Sequence, residues 1–204
     1  MVSTMTDMEK PNAFTDSFDS FVCDEDTIKT EPDTNGVYYV ATVKYDGCGE
    51  APWEENDGHG PVSDWRRLDS KRPGERVLCT DRSSARFYDF EEAVKIARAD
   101  GWDAEPYKTG TPGERAVRAV EDDFKVLKAW CNDEWSYCGV VLSQRQIVDE
   151  DDVELDKHVE SLRGIEANYP GTKNEHLTQV ANDLLEEAKS RTHSRRMIVE
   201  VVAT

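Results

Sequence analysis

Between Pro52 and Arg67 the chain gathers its densest run of side chains able to do chemistry: Trp53, Glu54, Glu55, Asp57 and His59, followed by Trp65, Arg66 and Arg67. Carboxylates and an imidazole at this spacing can ligate a metal through Glu54, Asp57 and His59, or set a carboxylate beside His59 for proton transfer. The spacing matches no zinc pattern, and no CxxC or HExxH element accompanies it, so neither a metal nor a cofactor is assigned. The same residue types serve ordinary turn chemistry, in which carboxylates accept from backbone N–H groups.

A basic patch follows, formed by Arg66, Arg67, Lys71, Arg72, Arg76, Arg82 and Arg86 with Asp69, Glu75 and Asp81 interspersed. Arginine presents a two-pronged donor to phosphate, which is the chemistry such a patch offers a small ligand. No GxGxxG or GxxxxGK cradle precedes a helix, and no Ser or Cys lies in a nucleophile motif, so no catalytic residue is assigned. A ligand- or metal-binding enzyme built on residues 52–67 remains the alternative to a binding function.

The second chemically pointed feature is charge. Forty-three acids against 25 bases leave a formal charge of −18. Direct nucleic-acid binding is disfavoured, because phosphate backbones are gripped by Lys and Arg. The excess gathers at the ends, nine acids against two bases in residues 1–35 and thirteen against seven in 149–204. Asp149, Glu150, Asp151, Asp152, Glu154 and Asp156 form its sharpest concentration. Such a surface suits a protein partner with a basic groove, and association would be fast and salt-sensitive.

These residues need elements to hold them. Residues 1–35 read as an acidic arm, flexible or docking, that ends in the turn-forming run Glu31 to Gly36. Within it Phe14, Phe18 and Phe21 recur at helical spacing and would form a face for a partner's groove or fold back on the core. Residues 36–204 are expected to form a single α+β domain. Val37–Val43 reads as a strand, Arg76–Thr80 and Arg86–Tyr88 as a hairpin, Ser136–Ser143 as a central strand and Val153–Ile165 as its return. The acidic run at 149–152 is then a solvated turn.

Three helices carry their own signals. Asp89 with Glu92, then Thr111, Pro112 and Glu114, are N-terminal caps, and Gly101 is a stop. The second helix should bury Val117, Val120, Phe124, Leu127 and Cys131. A third spans about Asn174 to Arg191, and Met197–Val202 reads as a short final strand. The fold class is α+β, a mixed or mainly antiparallel sheet packed against about three helices. No apolar run of membrane-spanning length exists and the start lacks the layout of a secretion signal. Five cysteines, an odd number partly in apolar stretches, fit a reduced state and the cytoplasm.

The succession PWEENDGHGPVSDWR (52–66), RFYDFEEAVKIARADGWDA (86–104), GERAVRAVEDDFKVLKAWCNDEW (113–135), YCGVV (137–141) and SLRGIEA (161–167) resembles small uncharacterised proteins of tailed bacteriophages and prophages. The resemblance covers about residues 36–190. It brings no catalytic residue. What it implies is a setting, the cytoplasm of the bacterial host, among accessory proteins that act on host machinery. The expected role is therefore binding of a host or phage protein, such as a defence system or nucleic-acid enzyme, through an anionic surface that imitates nucleic acid. Self-association through a sheet edge or the tryptophan loop is a further possibility that the sequence leaves open.

Overall fold

The computed structural model describes residues 13–47, 50–55, 58–102 and 109–202, with the side chains of Glu55 and of residues 192–202 excepted. Among the described residues there are seven strands and four α-helices, and both sheets are antiparallel. The chain is α+β. Where the sequence leads to one domain over 36–204, the contacts divide it into two compact units. One draws on residues 1–47, 137–168 and 172–204, the other on 48–136 and 169–171.

The first unit is a four-stranded sheet in the order β1-β2-β6-β7, with β1 Thr27–Lys29, β2 Val37–Tyr45, β6 Ser136–Val148 and β7 Asp151–Ala167. Its alternation is that of a sheet with one covered face: Ala41 and Val43 of β2, and Cys138, Val140 and Leu142 of β6, point into the core. Pairing runs from Val37↔Gln146 to Tyr45↔Cys138, which places β6 between two neighbours, as its apolar sequence requires. Helix α4, Glu175–Val202, lays Leu177, Ala181, Leu185 and Ala188 on that core. The strand expected at Met197–Val202 is instead the continuation of α4. No Gly or Pro interrupts the chain after Glu175, so nothing local ends the helix.

The arm folds back on the core, one of the two readings open to it, but not as the expected helix. Residues 14–22 form no helix; they lie as a strap in the core, with Phe14, Phe18 and Val22 buried and Phe21 exposed. Their backbone is hung on polar side chains: Phe14 N–H donates to Asn182 Oδ1 at 3.0 Å, Phe18 N–H to Thr178 Oγ1 at 3.0 Å and Val22 N–H to Asn168 Oδ1 at 2.9 Å. Asn174, fully buried, donates to the Ser20 carbonyl at 3.0 Å and to Asn168 Oδ1 at 2.8 Å. Buried amides satisfied on every side fix the strap's path without regular secondary structure.

The second unit holds a three-stranded sheet in the order β3-β5-β4, with β3 Arg66–Arg67, β4 Glu75–Asp81 and β5 Ser84–Asp89, and three helices, α1 Pro52–Glu55, α2 Phe90–Asp100 and α3 Pro112–Cys131. The helix starts follow the sequence: Asp89 accepts from Glu92 N–H, and Thr111 with Glu114 forms a complete capping box. Gly101, at φ 73°, closes α2 in the left-handed region. Leu78, Tyr88, Ala93, Ala97, Ala116, Val120 and Leu127 make the core. Val117, expected inside, is 43% exposed, because the buried stripe of α3 runs through Ala116 and Val120 one position to its side.

Cys79 of β4 and Cys131 at the end of α3 form a disulfide, their Cα atoms 5.6 Å apart. This corrects the reading of all five cysteines as reduced: the fold brings two of them within bridging distance although 52 positions separate them. Cys138 is buried and free, and burial pushes its thiol up to about 11. Cys23 is free and exposed.

Candidate functional site

The acids of the second concentration are carried by the β6–β7 hairpin. Asp149 and Glu150 are its two-residue turn, and both take positive φ, 50° and 75°, as the mirror-image turns favoured in tight hairpins require. The alternation of a strand puts Asp152, Glu154 and Asp156 on one face of β7, about 6.7 Å apart along it, and Asp151, Val153 and Leu155 on the other, and Arg145 reaches both Asp152 and Glu154. Every residue from Asp149 to His158 is exposed. The long antiparallel ladder thus displays six carboxylates on a rigid support.

Few bases answer them. Arg145 Nε lies 3.0 Å from Asp152 and Arg145 Nη1 3.6 Å from Glu154, and Lys157 lies 3.5 Å from Glu154. Tyr38 donates its hydroxyl to Asp152 at 2.8 Å. The Arg145 and Tyr38 hydrogen bonds hold the Asp152 carboxyl below its usual range, while burial and the neighbouring carboxylate raise the Tyr38 hydroxyl. Asp149, Glu150, Asp151 and Asp156 make no ion pair among the described residues. Of the aromatic residues expected to join this surface, Phe14 and Phe18 are core and only Phe21, at 61% exposure, faces solvent.

The 52–67 residues are brought together differently from the expected ligand set. Asp57 lies outside the described residues. His59 bonds through Nδ1 to Asp123 of α3, at 2.6 Å. The same carboxylate accepts from Gly60 N–H at 2.9 Å and from the Tyr88 hydroxyl at 2.6 Å. Asp123 is therefore a partly buried anchor with three partners, tying the loop and β5 to α3. Burial and the Asp123 charge raise the Tyr88 phenol far above its ordinary value, so it stays a donor. Asp123 is not legible as a partner of His59, since 64 positions separate the two. Nδ1 is thus held on a carboxylate, and no described residue bonds Nε2.

Gly60 is what lets this anchor close. A Cβ there would meet the Tyr88 hydroxyl at 2.2 Å and the Ala93 Cβ at 2.7 Å. Gly60→Ala is expected to push Tyr88 off Asp123 and to cost about 1–3 kcal/mol, as overpacking a tight site does. Tryptophan-monitored urea unfolding reads this directly, and an unchanged midpoint would place Tyr88 elsewhere.

Four of the six arginines of the basic patch are paired with the chain's own acids. Arg66 pairs with Glu75 at 2.6 Å, Arg67 with Asp69 at 2.6 Å, Arg76 with Glu121 at 2.7 Å and Arg86 with Glu54 at 3.4 Å. Although burial opposes it, the Arg72 amide and the Arg66 guanidinium hold the Glu75 carboxyl below its ordinary range. Arg86 also lies over the Trp53 and Trp65 rings, at 5.6 and 5.5 Å, and Trp53 meets Trp130 edge-on at 5.2 Å. These contacts are cation–π and aromatic packing, which explain the residue types without a ligand.

No helix among the described residues is long and apolar enough to cross a membrane. Comparison of the chain with family models, curated proteins and solved structures finds no match. Function is argued from the sites themselves.

Proposed function

We propose that this protein works by binding a host or phage protein, without covalent chemistry, and that the acidic β6–β7 hairpin is the surface that makes the contact. One observation carries the reading: six carboxylates stand exposed on one hairpin, and among the described residues only Arg145 and Lys157 pair with them while Lys29 acts on Asp152 through space, whereas the arginines of the 66–86 patch are largely matched by acids of the same chain. A fixed anionic array attracts a basic groove of the kind that nucleic acid occupies. Its two-residue spacing on β7 is roughly twice the rise per nucleotide of one DNA strand. The finer form of the proposal is an accessory protein in the bacterial cytoplasm that inhibits a defence system or nucleic-acid enzyme by covering such a groove; its support is the charge and the resemblance to phage proteins.

The alternative, an enzyme or ligand-binding protein around residues 52–67, draws on the Nε2 edge of His59, which no described residue bonds. Its arginines are already paired.

Affinity capture from bacterial lysate tests the proposal when run at low and high salt with the wild type and with Asp149, Glu150 and Asp151 all changed to Lys. Partner capture at low salt should fall by at least tenfold in the variant and in high salt, with the circular dichroism spectrum unchanged. Capture indifferent to both would overturn the reading.

A further inference from the structure

We infer that the outer edge of β7 is a strand-addition site, and that its occupant is an extended segment of a partner protein with Lys or Arg at every second residue and apolar residues between them. The inference rests on the binding reading above and narrows it from a charged surface to a backbone-paired one.

The sheet has two edges. β1 is three residues long, but β7 runs for seventeen, and among the described residues only β6 flanks it. A long edge leaves a row of N–H and C=O groups open to another chain. The tight turn decides which groups these are. With Asp149 and Glu150 as a two-residue loop, Val148 and Asp151 are the hydrogen-bonded pair beside it, so Asp152, Glu154, Asp156 and His158 turn their backbone groups away from β6. The His158 N–H agrees, since it donates to Asp156 Oδ1 at 3.0 Å and not to β6. Among the described residues, no other segment bonds to the backbone of 152–157.

The residues with outward backbone groups are therefore the ones that carry the acids. A strand added there would place its own residues directly opposite Asp152, Glu154 and Asp156, where opposite charges stabilise cross-strand pairs. Val153 and Leu155, 43% and 48% exposed, point to the other face and would meet the strand's intervening residues. One edge thus specifies an alternating basic and apolar strand. It also discriminates against a second copy of this chain. Self-pairing would bring the same net-negative stretch, Asp149 to Asp156, against itself, and like charges directly opposite are destabilising.

The test titrates the folded full-length protein with the capped peptide Lys-Val-Lys-Val-Lys-Val-Lys and two N-methylated forms of it. Methylation of the Lys amides removes the donors that would face β7, and methylation of the Val amides does not. The Lys-methylated form should bind at least tenfold more weakly than the Val-methylated one. Equal, salt-sensitive binding of both would overturn strand addition and leave the acidic-surface reading standing. No salt-sensitive binding of any form would sink both. On the protein side, Asp156→Pro removes an outward N–H without touching the β6 ladder, so it should weaken binding at least tenfold beyond Asp156→Ala. Equal losses in these two variants, or a dimer of the free protein that the peptide fails to dissociate, would also overturn the inference.

Discussion

Phe18→Ala is expected to destabilise the β1-β2-β6-β7 unit by about 3–5 kcal/mol, the usual cost of deleting a buried ring. Phe18 is only 6% exposed and packs in one cluster with Phe14, Val22, Leu142, Leu177 and Ala181. Its backbone N–H is already committed to Thr178, so the strap cannot easily shift to fill the gap. Phe21→Ala, at a residue 61% exposed, is the matched control and should change stability by less than about 0.5 kcal/mol. Urea unfolding followed by far-ultraviolet circular dichroism measures both. Equal midpoints for the two variants would take Phe18 out of the core.

The strap also shows why a residue pattern can be read correctly and still mislead. Its four-residue repeat does place Phe14 and Phe18 on one side, as a helix would. Yet the period is borrowed: the strap bonds to Asn182 and then to Thr178, four positions apart on α4, so each of its steps follows about 6 Å of another helix's rise. A one-dimensional pattern does not distinguish a helix from a segment running along one. For the same reason the third apolar residue of the repeat is Val22 and not Phe21. The caps of α2 and α3 were legible because each rests on residues three apart, Asp89 with Glu92 and Thr111 with Glu114, and local chemistry suffices there. The β6–β7 hairpin was legible as strands around an acidic turn, although the strand ends beside the turn were not, since Gln144, Arg145, Gln146, Asp151 and Asp152 carry the polarity of a loop and are held extended by the ladder between β6 and β7. The His59 anchor was half legible. His59 and its loop stood out by composition, while Asp123 sits in a helix among the acids Glu121 and Asp122, with nothing in its surroundings to mark it. Long-range partners of this kind are fixed by packing alone, as are Cys79 and Cys131.

Removing that last pair should have the largest effect in the other unit. Closing a loop between residues 52 positions apart restricts the unfolded chain by about 4 kcal/mol in the chain-entropy account, a large part of the 5–15 kcal/mol that stabilises a typical domain. The bond joins β4 to the end of α3, and the same seam is tied elsewhere by Lys128 Nζ on the Leu78 carbonyl at 2.5 Å and by Arg76 on Glu121 at 2.7 Å. Those polar contacts are partly exposed and contribute less. All five tryptophans lie between Cys48 and Ser136, so their fluorescence follows this unit specifically. Cys79→Ala with Cys131→Ala should lower its unfolding free energy by about 2–4 kcal/mol, and a thiol reductant should lower the wild type by a similar amount while leaving the double variant unmoved. The comparison also bears on where the protein works. A cytoplasmic setting keeps thiols reduced, so the unit must then stand on its core of Leu78, Tyr88, Val120 and Leu127 and on the Asp123 anchor without the covalent tie. A midpoint in reductant still well above zero denaturant is compatible with that setting. Collapse of the tryptophan signal in reductant alone would exclude it, and a wild type indifferent to reductant would mean that the two sulfurs are not bonded in solution.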